Sequence, residues 1–132
     1  MTARRAIGIL AATVLALGAP SPALAAPSED GEVRVRAVCS PGRAAELRVR
    51  ADDDELRIEL RIRSRLRGER WSVVVVHERR VVLRAELRTA GDRSARLRVR
   101  VPDLYGRDVI VVRALGPGGA TCSAVAALVP KS

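Results

Sequence analysis

Glu55-Leu-Arg-Ile-Glu-Leu-Arg-Ile-Arg63 decides the fold. Apolar and charged residues alternate through it almost without a break, which is the period of a half-buried β-strand and not of a helix. Leu56, Ile58, Leu60 and Ile62 therefore share one face, which seeks a core, while the charged side chains share the other, which seeks water. The pattern recurs in Glu32 to Arg36, in Glu46 to Arg50 and in Ala95 to Val101. The chain thus reads as repeated strands with aliphatic inner faces and arginine-rich outer faces.

Working outward, the first strand is expected from Glu32 to Cys39, with Val33, Val35, Ala37 and Cys39 on one side. Ser40-Pro41-Gly42 turns the chain into a strand from Ala44 to Ala51, and Asp52-Asp53-Asp54 turns it into the deciding strand. Trp71 opens the next, which runs to His77. Its alternation gives way to Val73-Val74-Val75-Val76, predicting a central strand covered on both sides. Glu78-Arg79-Arg80 is the expected hairpin turn, although it lacks the Gly or Asn that such turns favour. Further strands are expected over Val81 to Arg88, Ala95 to Val101, Val109 to Leu115 and Ala120 to Leu128. Thr89 to Asp92, Asp103 to Asp108 and Gly116 to Gly119 connect them. Seven or eight short strands at this spacing, with no segment of helical period after the N-terminal region, predict an all-β antiparallel sandwich.

The N-terminal region has the three-part layout of a secretory signal: Arg4 and Arg5, an apolar run from Ala6 to Gly18, and the small-residue triplet Ala23-Leu24-Ala25. The run is shorter than the ~20 residues that span a bilayer, so it predicts a helical signal peptide over residues 1–25, cleaved after Ala25, and no membrane anchor thereafter. Residues 26–31 read as a flexible leader and residues 32–129 as one domain. Without Arg4 and Arg5 the chain keeps 22 basic against 15 acidic residues, a net charge of about +7. There is no Asn, Gln or Phe. That bias toward Arg, Ala, Val, Leu and Gly is what a GC-rich genome produces, so the arginines gain meaning only from their placement.

Cys39 and Cys122 are the two cysteines, and in an exported protein they are expected to pair. Cys39 near the start, Gly68-Glu69-Arg70-Trp71 and Gly106-Arg107-Asp108 leading strands, and Gly116-Pro117-Gly118-Gly119-Ala120-Thr121-Cys122 near the end resemble small secreted immunoglobulin-like or fibronectin-type β-sandwich proteins of high-GC bacteria. The resemblance implies the sandwich and the Cys39 to Cys122 pairing, and it implies no catalytic residues. The chain departs from an immunoglobulin domain in placing its cysteines on the first and last strands, and Tyr105 is too far from Cys122 to be the tyrosine two residues before a second cysteine.

No catalytic constellation can be assembled. His77 is the only histidine, and neither Ser72 nor Ser123 carries a nucleophile-elbow pattern. His77 reads as an ordinary strand-end residue whose loss changes little. Asp52-Asp53-Asp54-Glu55 lacks the alternating ligands and glycine of a calcium loop and reads as a solvated turn. Trp71 is one of two aromatics, too few for a stacking platform, and reads as core. No metal or cofactor is expected.

What remains is the outer face. Arg48 and Arg50, Arg57, Arg61, Arg63 and Arg65, and Arg96, Arg98 and Arg100 each alternate with apolar residues. If their strands are neighbours, they form a broad basic surface able to hold polyanions, partly neutralised by Glu46, Glu55 and Glu59. The expected function is that of a secreted, non-enzymatic domain acting in binding or structure at or outside the cell envelope. One alternative is a polyanion-binding module for an anionic envelope polymer or lipid headgroups, with no nucleic acid expected in that compartment. The other is a protease inhibitor presenting the loop Asp103 to Asp108 or Gly116 to Ala120 to an extracellular protein.

Overall fold

The computed structural model describes residues 31–103 and 107–128. The predicted signal peptide, most of the leader, and Tyr105 lie outside the described residues. Among the described residues nine strands follow one another: β1 (Glu32–Arg36), β2 (Val38–Cys39), β3 (Ala44–Asp52), β4 (Glu55–Arg63), β5 (Arg70–His77), β6 (Arg80–Arg88), β7 (Ser94–Pro102), β8 (Asp108–Leu115) and β9 (Thr121–Leu128), with a short 3-10 turn at Pro117–Gly119. They form two antiparallel sheets, ordered β1-β3-β4-β7 and β2-β9-β8-β5-β6. Among the described residues no helix is long and apolar enough to cross a membrane.

The alternation dictates what lies between the sheets. Val33, Leu47, Val49, Leu56, Ile58 and Ile62 from the first sheet meet Trp71, Val73, Val75, Ile110 and Val112 from the second, all essentially inaccessible to solvent. Each such side chain contributes about 1.5–3 kcal/mol through burial. The expected core of the deciding strand is therefore found, as is the core position of Trp71, whose indole Nε1 has no hydrogen-bond partner among the described residues.

Two expectations are corrected. The first strand is not continuous: β1 pairs with β3, and after Ala37 the chain changes sheet so that β2 pairs with β9. The backbone N–H of Ala37 still donates to Ala45 at 2.8 Å, marking the crossing point. One side of the sandwich is closed by this switch. On the opposite side the edge strands β6 and β7 leave Leu83, Leu87, Leu97 and Val99 only partly buried.

The valine run of β5 is the second correction. β5 is central, between β8 and β6, but only Val73 and Val75 are fully buried. Val74 and Val76 face outward, where no further layer covers them among the described residues; Val81, Val111 and Val125 continue that aliphatic stripe. A run of valines suits either a doubly covered strand or a strand whose outer face is shielded by its own neighbours, and periodicity does not separate the two.

The hairpin after β5 is a two-residue turn in which Glu78 (φ 49°) and Arg79 (φ 66°) are both left-handed. Positive φ at both central residues matches the right-handed twist of the flanking strands, which is why the turn forms without Gly or Asn. Side chains in that region are strained, at a cost of about 1–2 kcal/mol per residue.

Candidate functional site

The first sheet sets β3, β4 and β7 side by side in continuous register, with β1 beyond β3. Arg48, Arg50, Arg57, Arg61, Arg63, Arg96, Arg98 and Arg100 consequently project from one face, joined by Arg34 and Arg36 of β1. Arg65, which alternates with them in sequence, does not belong to this face: it follows the end of β4 and its guanidinium lies across Gly42.

The register sorts the face into rows running across the strands. In the middle row Arg34, Arg48, Glu59 and Arg98 stand in line, and Glu59 is shared by Arg48 at 3.8 Å and Arg98 at 3.5 Å. Glu32 receives hydrogen bonds from both Arg34 and Arg48. The Arg48 guanidinium, followed by Arg34, holds the Glu32 carboxyl below its usual range, and Glu32 in turn raises Arg48. This row sets three arginines against Glu59 and the neighbouring Glu32.

The flanking rows differ from each other. On one side Glu32, Arg50, Arg57 and Arg100 are in register, so three arginines stand directly opposite one another. Arg57 turns to Asp52 at 2.8 Å and Arg100 to Glu55 at 3.9 Å. On the other side the row is Arg36, Glu46, Arg61 and Arg96, with Arg63 next to Arg61 along β4. Two shallow depressions, about 290 and 380 Å³, lie on either side of Arg61, the first bordered by Arg48, Arg96 and Arg98 and the second by Arg36 and Arg63, with Glu46 at both. Arg61 is half-buried and its Nε is without a partner. Among the described residues Arg36, Arg50, Arg61, Arg63 and Arg96 make no ion pair, whereas the other five arginines of the face do.

The second outer face is different in kind. Its strands present Val74, Val76, Val111 and Val125, flanked by Arg84 and Arg113. The molecule thus has one guanidinium face and one aliphatic face on opposite sides of a single core.

The two cysteines are joined, as expected. The bridge does not span the core: Cys39 and Cys122 stand opposite each other on adjacent strands β2 and β9 of one sheet, tying the switched N-terminal strand to the C-terminal one. Such a bridge belongs to an oxidising, non-cytoplasmic compartment.

Sequence reasoning missed the surroundings of His77. It is buried, and its Nε2 lies 2.8 Å from Oδ1 of Asp108, which is buried too. The expectation that His77 is an unremarkable strand-end side chain fails because β8 pairs with β5 and brings the start of β8 beside its end. Glu78 completes the corner, one carboxylate oxygen accepting the backbone N–H of Val109 at 2.7 Å. Asp103 sits alongside, its backbone N–H donating to Asp54 at 2.7 Å. A hydrogen bond shared with Asp108, together with desolvation and the Asp108 charge, pushes the Asp103 carboxyl up to about 6. Only the aspartate that opens β8 carried a signal, and it is indistinguishable in sequence from a turn residue.

The acidic turn behaves as expected, Asp53 adopting a left-handed conformation between the paired Asp52 and Glu55. The Gly116 to Ala120 loop is exposed at Pro117–Gly119 and anchored at its base, where Gly116 lies against the ring of Trp71. Compared with family models, with curated proteins and with solved structures, the chain matches none.

Proposed function

We propose that the protein is an exported, non-enzymatic sandwich domain that binds polyanions through the arginine face of β1, β3, β4 and β7. The observation that supports this most strongly is the row structure of that face. A face built only for solubility would alternate signs across strands, because like charges directly opposite one another destabilise a sheet by up to about 1 kcal/mol per pair. Here Arg50, Arg57 and Arg100 are in line, and Arg61 faces Arg96. The two paired rows fix a lattice of guanidinium groups, and the unpaired Arg36, Arg61, Arg63 and Arg96 keep donors free for bidentate contacts to phosphate or carboxylate oxygens.

The sandwich itself we read as immunoglobulin-like or fibronectin-like. Support comes from the strand order: β3-β4-β7 facing β9-β8-β5-β6 corresponds to strands A, B and E facing G, F, C and C′, with Trp71 at the start of the strand that matches C. The added β1 and β2 lie outside that scheme. Export is favoured by the Arg4 to Ala25 segment and by the disulfide. An anionic polymer of the cell envelope is the partner class that fits this compartment.

The test is sedimentation of the mature domain with an envelope fraction across a salt series, comparing the natural chain with Arg61→Glu/Arg96→Glu. Binding lost at physiological salt, and lost at every salt in the double variant, is expected. Equal sedimentation of both proteins overturns the assignment.

A further inference from the structure

The corner where β5 ends and β8 begins carries chemistry that polyanion binding does not use. Beside a core cluster made of hydrophobic residues, a histidine and an aspartate are each about 4% exposed and hold one another at 2.8 Å, Nε2 to Oδ1. One ligand-capable atom from each of His77, Glu78 and Asp108 lies within 4.8 Å of the other two. Three N and O donors from the end of β5, the hairpin that follows it and the adjacent start of β8 therefore converge on one point, and they do so across 31 residues of sequence.

We propose that His77, Glu78 and Asp108 form a binding site for a divalent transition-metal ion of the zinc class. Imidazole with two carboxylates is a borderline donor set that suits zinc, with bonds of about 2.0–2.2 Å, and an imidazole nitrogen disfavours calcium and magnesium, which take oxygen donors. Donors bound to one tetrahedral ion at that length stand about 3.3–3.6 Å apart. The His77 to Asp108 separation needs to open by well under 1 Å, and Glu78, on a half-exposed turn and held through one carboxylate oxygen by Val109 N–H, closes the remainder. Three protein ligands leave a fourth position for water or for a ligand atom from outside.

The exchange balances. The ion takes the imidazole as the neutral ring whose one proton sits on Nδ1, so the hydrogen shared between Nε2 of His77 and Oδ1 of Asp108 is given up to solvent and the Nε2 lone pair and the carboxylate oxygen turn to the cation. Glu78 supplies the second negative charge, so the ligands neutralise the ion. Its carboxylate also holds Val109 N–H, which orients it toward β8. Glu78 occupies a left-handed position where Asn or Gly is the ordinary choice, so the hairpin carries a carboxylate where turn formation alone does not ask for one.

Because the chain has a single histidine, the test is direct. The mature, disulfide-bonded protein, stripped with a chelator, is titrated with zinc chloride while the one imidazole is followed by NMR. Cobalt chloride serves as the visible-absorbing probe in parallel. Expected are saturation at one ion per chain, displacement of both imidazole ring signals, and the visible band of a tetrahedral N/O site. Glu78→Gln keeps the turn and the bond to Val109 and is expected to weaken affinity at least about tenfold. Asp108→Asn keeps a hydrogen-bonding partner for His77 and is expected to do the same or more. Imidazole signals unmoved up to about millimolar zinc, or equal affinity in both variants and the natural chain, overturn the proposal and leave the corner as a buried structural His–Asp pair.

Discussion

Replacing Arg36, Arg61 and Arg96 by Gln isolates what the unpaired arginines do. Counterion release makes the logarithm of affinity fall with the logarithm of salt by about 0.7 per charge contact for a flexible polyanion. Five arginines of the face lack an ion pair among the described residues, and engaging all five gives a slope of about −3.5. Raising salt from about 50 to about 200 mM then weakens binding roughly 100-fold. With three of the five neutralised the slope falls to about −1.4, and the same rise in salt weakens binding only about sevenfold. The assay is fluorescence anisotropy of a labelled polyphosphate chain, repeated with polyglutamate to separate phosphate from carboxylate recognition, with melting of each variant checked alongside. Arg84→Gln/Arg113→Gln, on the opposite face, serves as the control and is expected to keep the natural slope. A slope unchanged in the triple variant, or reduced as much in the control, refutes the reasoning: attraction would then come from overall charge and not from this row.

Gly116→Ala tests the packing under the last loop. Its φ of −110° suits any residue, but a Cβ would meet the Trp71 ring at 2.7 Å, and Trp71 is fully buried. Overpacking of this kind costs about 1–3 kcal/mol, and each kcal/mol lowers Tm by about 4–8 °C in a domain of this size. Removing the disulfide as Cys39→Ser/Cys122→Ser releases a loop with a sequence separation of 83 and is expected to cost about 2–4 kcal/mol by denaturant titration. For the metal-free protein, Asp103 has a folded pKa pushed up to about 6 by Asp108 and by burial, with His77 opposing and Asp54 adding to the shift. A raised folded pKa means that its stabilising contribution is fully present below the unfolded value near 3.8 and is lost as pH rises through 6. Asp103→Asn, neutral at every pH, is therefore expected to flatten the Tm profile between about pH 4 and 7 and to exceed the natural chain at pH 7, as scanning calorimetry with a chelator present will show.

The corner of His77 and Asp108 shows where sequence reading stopped. Strand identity was legible because a period of two is a local property, written in Glu55 to Arg63 by adjacent side chains that must face opposite ways. Core membership of Leu47, Ile58 and Leu60 followed from the same rule. The outward direction of the arginines within the strands was legible too, Arg65 beyond the end of β4 excepted, but not which arginines meet.

That depended on pairing. Whether Arg100 confronts Arg57 or Glu55 is decided by which strands are neighbours and by their register, and a slip of one residue would turn every arginine of the strand into the core. Likewise, nothing local distinguishes a strand that stays in one sheet from β1 and β2, which part company at Ala37, because only the positions of β3 and β9 make the switch favourable. The alternating pattern by itself determined an all-β chain with an aliphatic inside and a guanidinium outside. The tertiary structure alone decided the rows of charge, the in-sheet placement of the disulfide and the meeting of His77 with Asp108, since each joins residues far apart in the chain through hydrogen-bonded register, which no local period encodes.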